Sequence, residues 1–445
     1  DLKALARGVG GERLHRLLER QWWRLAYWKT AGDEINYRRF FDVNGLAALR
    51  MEEPEVFHRS HRLLGELLLQ EGVAGVRVDH VDGLVDPHGY LRSLSELGAE
   101  RIWVEKIVAS GEVVPEEWPV AGTTGYEFLN DALRLFVDPR GVDALQRAYL
   151  EFGADPTPYP EEVIRSKRLV METSLAAELT RLTGTLRRLA AADYHTRDFT
   201  YNGIRAALAD LISVLGRYRT YLPHGRTEAL EVLRHATSEA KRLALNLETS
   251  VHEFILACLT EPREGELEVA RREFVGRFQQ YTAPVAAKGV EDTAFYRYVP
   301  LAALNEVGGE PDQFTVEAQA FHSRARFRQH GYPESLLAGA THDHKRGEDT
   351  RMRLVALAEM TDAWADAVGE LSTIAEDHLG TRGPSEADRY QFFQILAALW
   401  AGADRERLPD RLWEYMQKAS RESKRQTSWI NPDEDYEADL EAMVR

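Results

Sequence analysis

Apolar positions fall into three rhythms along the chain. Up to about residue 128, short β-rich runs alternate with helical stretches, the cadence of βα units and a parallel sheet. Val73–Val78 and Arg101–Ile107 read as strands. A helix around Tyr90–Leu97 lies between them, preceded by the turn-prone Asp86-Pro87-His88-Gly89. From about 129 to 278 the pattern is helical. Leu175, Leu179, Leu182, Leu186 and Leu189 recur at helical spacing, and so do Ile204, Leu208, Leu211, Ile212 and Leu215. Thr227 stands where it would cap a further helix through Leu230 and Leu233. These leucines predict core packing rather than a binding seam. From about 279 a mixed character returns, with turns at Gly308-Gly309 and Gly339, and long helices follow Thr350. The expected fold is α/β, divided into residues 1–128, a helical insertion at 129–278, and 279–445.

Composition narrows the role. The chain has 445 residues, 44% hydrophobic and 29% charged, which suits a globular enzyme. A net charge of −16 disfavours a polyanion partner, so no nucleic acid is expected. The single cysteine, Cys258, sits in an apolar run and predicts a small core residue. It excludes an intrachain disulfide and fits a reducing, cytoplasmic setting. No apolar run reaches the length of a membrane span, so no membrane partner is expected. The chain opens on Asp1 with an amphipathic helical stretch and ends at Arg445 in a charged helix-like segment, which suggests a piece of a longer polypeptide.

Three clusters could carry chemistry. In Gly75-Val76-Arg77-Val78-Asp79-His80, Asp79 stands where an apolar strand gives way to a turn. That is the carboxyl end of a strand, where β/α barrels gather their active groups. Arg77 lies two residues earlier, on the same side of the strand. A cation there keeps a carboxylate ionised, as a nucleophile requires; a purely structural Arg–Asp pair is the alternative. In Ile102-Trp103-Val104-Glu105-Lys106, Glu105 is acidic within an apolar run. Burial would hold it protonated, as a general acid needs, although a strand-end glutamate paired with Lys106 is the plainer reading. In Thr341-His342-Asp343-His344-Lys345-Arg346, two histidines flank an aspartate, but the spacing matches no zinc signature and the adjoining cations oppose a metal. A cluster that hydrogen-bonds sugar hydroxyls fits better, and neither metal nor cofactor is expected.

An Arg-x-Asp at one strand end, a Glu at the next and a later His-Asp pair is the order used by the α-amylase superfamily of glycosidases. Longer blocks are more specific: Glu34–Asn44, Arg77–Leu84, Ala121–Glu127, Lys288–Tyr298, Asn305–Gly309 and Thr427–Trp429. Together they resemble the maltooligosyl trehalose synthases, from about residue 20 to 436. That resemblance implies a (β/α)8 barrel with Asp79 as nucleophile, Glu105 as general acid/base and Asp343 as the carboxylate that orients the sugar. It implies substrate contacts from Arg77, His80, His342, Tyr37, Arg38, Arg39, Lys106, Lys288, Glu291, Asp292, Tyr296, Lys345 and Arg346. The implied substrate is a maltooligosaccharide or α-1,4-glucan, whose reducing-end linkage becomes α,α-1,1. A maltooligosyl trehalose trehalohydrolase would act next.

The family pattern also has earlier barrel strands and a C-terminal β-domain that this sequence lacks. An open arc of strands would leave edges and an apolar interior uncovered. The barrel is therefore expected to be completed by further segments of the same enzyme. The rival expectations are an α-glucan hydrolase or another transglycosylase of the superfamily, and a carbohydrate-binding fragment without activity.

Overall fold

The computed structural model describes residues 10–244, 248–402 and 404–445. The helical start expected at Asp1 therefore lies partly outside the described residues; a helix is present at Gly11–Leu18.

Most of the chain is helical, and the described residues contain five short strands. β1 (Arg39–Phe40) and β2 (Val43–Ala47) form an antiparallel hairpin, while β3 (Gly75–Val78), β4 (Arg101–Val104) and β5 (Gly122–Thr123) form a parallel sheet in that order. β4 is shorter than the run that announced it because the chain leaves the strand at Glu105, and β3 starts two residues later than Val73. Pro87–Glu96 is the helix that connects them, and the Asp86 side chain caps it by accepting from the Gly89 N–H. No strand follows Thr123 among the described residues, so the mixed character expected after 279 is realised as helices and turns.

The sheet is amphipathic because side chains alternate along a strand. Val78, Ile102 and Val104 point into a core with Phe57, Leu91, Leu94 and Trp118. Arg77, Asp79, Trp103 and Glu105 occupy the opposite parity and so the other face. A second core runs through residues 170–285. It is built by the predicted leucine stripes, on helices Ala176–Ala191 and Tyr201–Ser213. Cys258 is fully buried within it. The Arg226–Leu243 helix begins two residues earlier than its capping signal suggested: Gly225, with φ 56°, is the N-cap, and Thr227 lies inside the first turn. A third core joins Leu133, Leu145 and Tyr149 to residues from Val299 to Val444. Among the described residues, no helix is long and apolar enough to cross a membrane.

The segment after Tyr332 runs beside β5. The Leu336 N–H donates to the Thr123 carbonyl at 3.1 Å, and the Thr123 N–H donates to Ser335 Oγ at 3.1 Å. Gly125, at φ 92°, makes this approach possible: a Cβ there would lie 2.3 Å from the Leu336 carbonyl oxygen. The obstacle is backbone, which has little room to yield. Gly125→Ala should therefore lower the unfolding free energy by about 2 kcal/mol, read from urea denaturation; an unchanged midpoint would contradict this packing.

Candidate active site

Register brings the first two carboxyl groups together. Val78 pairs with Val104 in the parallel ladder, so the next residues, Asp79 and Glu105, leave the sheet side by side. Neighbouring strands lie about 4.8 Å apart, and the Glu105 N–H still donates to the Val78 carbonyl at 2.8 Å. Their side chains are close enough to hydrogen-bond one another. Two carboxyl groups in contact cannot both ionise without strong repulsion, so one proton is shared between them.

Their surroundings decide which group holds it. Burial raises the Glu105 pKa most, the charge of Asp79 and their mutual hydrogen bond add to the rise, and the result is about 8. A backbone N–H from His80, 2.6 Å from Glu105 Oε2, opposes this without cancelling it. For Asp79 burial also works against the charge, but hydrogen bonds from Arg77 and Glu105, and the Arg77 charge, overcome it and hold the pKa below the ordinary range. Arg77 Nη1 lies 2.6 Å from Asp79 Oδ1. At neutral pH the pair is thus Asp79 carboxylate and Glu105 acid. Asp79 is half exposed, open to an incoming reactant.

The turn after β3 is tightly fixed. His80 adopts a left-handed conformation, φ 46° and ψ 47°. Its ring packs on Phe41 at 4.3 Å and edge-on to Phe40 at 5.3 Å. Gly83 gives that ring its space, since a Cβ there would come within 2.4 Å of His80 Cδ2. Burial, the largest influence, pushes the His80 pKa down to about 4, so the ring is neutral. The helical block holds the far side of the turn. Arg219 Nη1 donates to the Asp82 and Leu84 carbonyls at 2.7 and 2.6 Å, and Gln280 Nε2 to the Gly83 carbonyl at 3.1 Å.

The third carboxylate arrives on the segment beside β5. His342 Nε2 and the Tyr126 hydroxyl each lie 3.2 Å from Asp343 Oδ2. Asp343 acts electrostatically on Glu105, and His342 on Asp79, so all three acidic groups share one locale. Arg77, His80, Glu105, His342 and Asp343 therefore gather around Asp79.

The remaining candidates divide. Lys288, Asp292 and Lys345 form an ionic cluster with Asp42: Lys288 Nζ lies 3.2 Å from Asp42 Oδ1 and 3.1 Å from Asp292 Oδ2. This cluster abuts the turn, since Lys288 sits over the Phe41 ring that packs on His80. Tyr296 is buried beneath Lys345, and Glu291 accepts from the Gly308 N–H at 2.9 Å. Tyr37 is partly exposed and donates to the Asn44 carbonyl at 2.7 Å. Arg38 donates to the Gly83 carbonyl and braces the His80 turn.

Three residues expected to reach substrate are instead engaged inside the protein. Arg39 is buried and donates to Asn44 Oδ1 and the Ser174 carbonyl, both at 2.6 Å. Lys106 is 1% exposed and pairs with buried Glu112 at 2.8 Å. It follows Glu105 by one residue, and strand alternation sends it to the core side. Arg346 is buried against Glu306 at 3.2 Å and the Tyr415 ring. Sequence reasoning gave no role to Tyr126 or Thr341, whose hydroxyls meet at 3.1 Å across 215 residues of chain. Tyr126 lies within the Ala121–Glu127 block, but no local pattern points to this contact.

No model of a known protein family matches the chain. A Mycobacterium tuberculosis protein named as a maltooligosyl trehalose synthase is 36% identical over 431 residues, 96% of this chain and 52% of the relative. The solved maltooligosyltrehalose synthase of Arthrobacter ramosus is 37% identical, with a TM-score of 0.85 over 98% of this chain and 53% of that one. A Sulfolobus tokodaii structure described as a hypothetical maltooligosyl trehalose synthase is 30% identical, with a TM-score of 0.78, over 99% and 54%. The chain spans about half the length of the relatives it matches. In sequence and in fold, it is homologous to the maltooligosyl trehalose synthases over that half.

Proposed function

We propose that this chain carries the catalytic carboxyl groups of an intramolecular transglucosylase that converts the reducing-end α-1,4 linkage of a maltooligosaccharide to α,α-1,1. The observation that carries the reading is the contact between ionised Asp79 and protonated Glu105 at adjacent strand ends, with Asp343 alongside. On this reading β3, β4 and β5 belong to a (β/α)8 barrel that other segments of the same enzyme complete. Residues 1–128 and 279–445 supply barrel parts and flanking helices, and 129–278 are a helical insertion.

Retention at the anomeric carbon needs two displacements, by carboxyl groups about 5–5.5 Å apart. Asp79 and Glu105, side by side at adjacent strand ends, are placed to share that work. Glu105 protonates the departing glycosidic oxygen while Asp79 bonds to the anomeric carbon. The released glucose turns in place, Glu105 takes the proton of its anomeric hydroxyl, and that oxygen displaces Asp79. A captive nucleophile outcompetes water through its high effective molarity. The solution exposure of Asp79 and Asp343 favours a second reading, α-glucan hydrolysis, wherever the completed barrel leaves them as open as they are here. A maltooligosyl trehalose trehalohydrolase consuming the product, and a cytoplasmic setting, follow from the same proposal.

Maltopentaose incubated with the full-length protein should give a non-reducing product of unchanged mass. Glucose and shorter reducing sugars as main products would support hydrolysis instead. Asp79→Asn should lower turnover by roughly 10⁴-fold or more, and a rate within tenfold of the parent would remove Asp79 from the mechanism. The pH profile of kcat/KM should rise as Asp79 ionises and fall as Glu105 loses its proton. The Glu105 value of about 8 places that fall on the alkaline side of neutrality; loss of activity already near pH 5 would contradict the assignment.

A further inference from the structure

Three elements distant in sequence converge on the Tyr126 hydroxyl. Tyr126 opens the Tyr126–Leu135 helix directly after Gly125, and its side chain is almost wholly buried. Its ring lies flat on His344, with centroids 5.4 Å apart and planes at 20°. The oxygen sits 3.2 Å from Asp343 Oδ2 and 3.1 Å from Thr341 Oγ1.

The donors in this circuit can be counted. His344 Nδ1 accepts the Thr341 N–H at 2.9 Å, so that nitrogen carries no proton. Thr341 Oγ1 accepts the Asp343 N–H at 3.2 Å and also lies 2.9 Å from His344 Nδ1. The Thr341 proton goes to His344 or to the tyrosine oxygen, and across the Tyr126–Asp343 contact the phenol O–H donates and the carboxylate oxygen accepts. A phenol donating to a carboxylate makes a charge-assisted bond, stronger than a neutral one. His342 Nε2 approaches the same oxygen at 3.2 Å, so both contacts fall on Oδ2 and leave Oδ1 for sugar hydroxyls.

Resting on the function proposed above, we propose that Tyr126 is a positioning residue: its hydroxyl fixes Asp343 and acts on the reaction through that carboxylate. The ionisable groups facing this pair are Glu105, Asp79, Arg77, His342 and His344. His344 is neutral, because burial, followed by the charges of Arg351 and Lys345, presses its pKa down to about 4.

The test is Tyr126→Phe in the full-length protein, assayed on maltopentaose across pH beside the parent. It keeps the ring and its stack on His344. We expect kcat to fall roughly 10- to 100-fold, as for loss of a hydrogen bond to a charged group, with KM changed less than threefold. Thr341→Val, which keeps the Tyr126–Asp343 bond, should lower kcat less than Tyr126→Phe does. A Tyr126→Phe protein with the parent's kcat would overturn the proposal. So would one that loses its thermal unfolding transition, since the hydroxyl would then serve the fold. An inactive parent would instead reject the proposed function.

Discussion

The register of two parallel strands governs this site. Because Val78 faces Val104, the first residues beyond the ladder are Asp79 and Glu105, and their carboxyl groups meet without any loop having to fold precisely. A slip of one residue would send one of them to the apolar face. The same alternation gives β3 and β4 a buried side bearing Val78, Ile102 and Val104, so the force that sets the register is burial of those side chains. Chemistry on one face is thus fixed by packing on the other.

Around that pair the protein uses unlike means to keep unlike protonation states. Glu105 is shielded from water and stays protonated, whereas Asp79 is more open and answers to Arg77. The turn after Asp79 is held by groups from other parts of the chain. Arg219 and Gln280 come from the helical block, and the Phe41 ring from the hairpin, to fix residues 80–84. The helical block therefore braces the turn that follows Asp79, in addition to burying its own leucines. Lys106 with Glu112, and Arg346 with Glu306, show the cost of such bracing: a buried ion of either sign has a partner close by.

Much of this was legible in the sequence, for local reasons. An acidic residue ending an apolar β run marks a strand end, and leucines at helical spacing mark a buried stripe; both patterns are short-range. What escaped was set by distant partners. Lys106 looked like a sugar contact because it adjoins Glu105, but its side faces Glu112. Arg39 looked available until Ser174 and Glu178 closed over it. Nothing near Tyr126 announces Asp343, which arrives only because Gly125 lets the Leu336 backbone come alongside β5. Where a barrel was expected, the described residues hold a parallel sheet of three strands, since the pattern of apolar runs after residue 279 resolves into helices and turns.

The account stands on Asp79 being the atom donor to the anomeric carbon while Glu105 keeps a proton. A glucosyl fluoride bearing a second fluorine on the ring slows the second displacement and lets the covalent sugar accumulate. Mass spectrometry of peptides from the labelled full-length protein then reads the attachment point. The account predicts one added glycosyl group, on the peptide and residue of Asp79. A label on Glu105 or Asp343, with Asp79 unmodified, would contradict it.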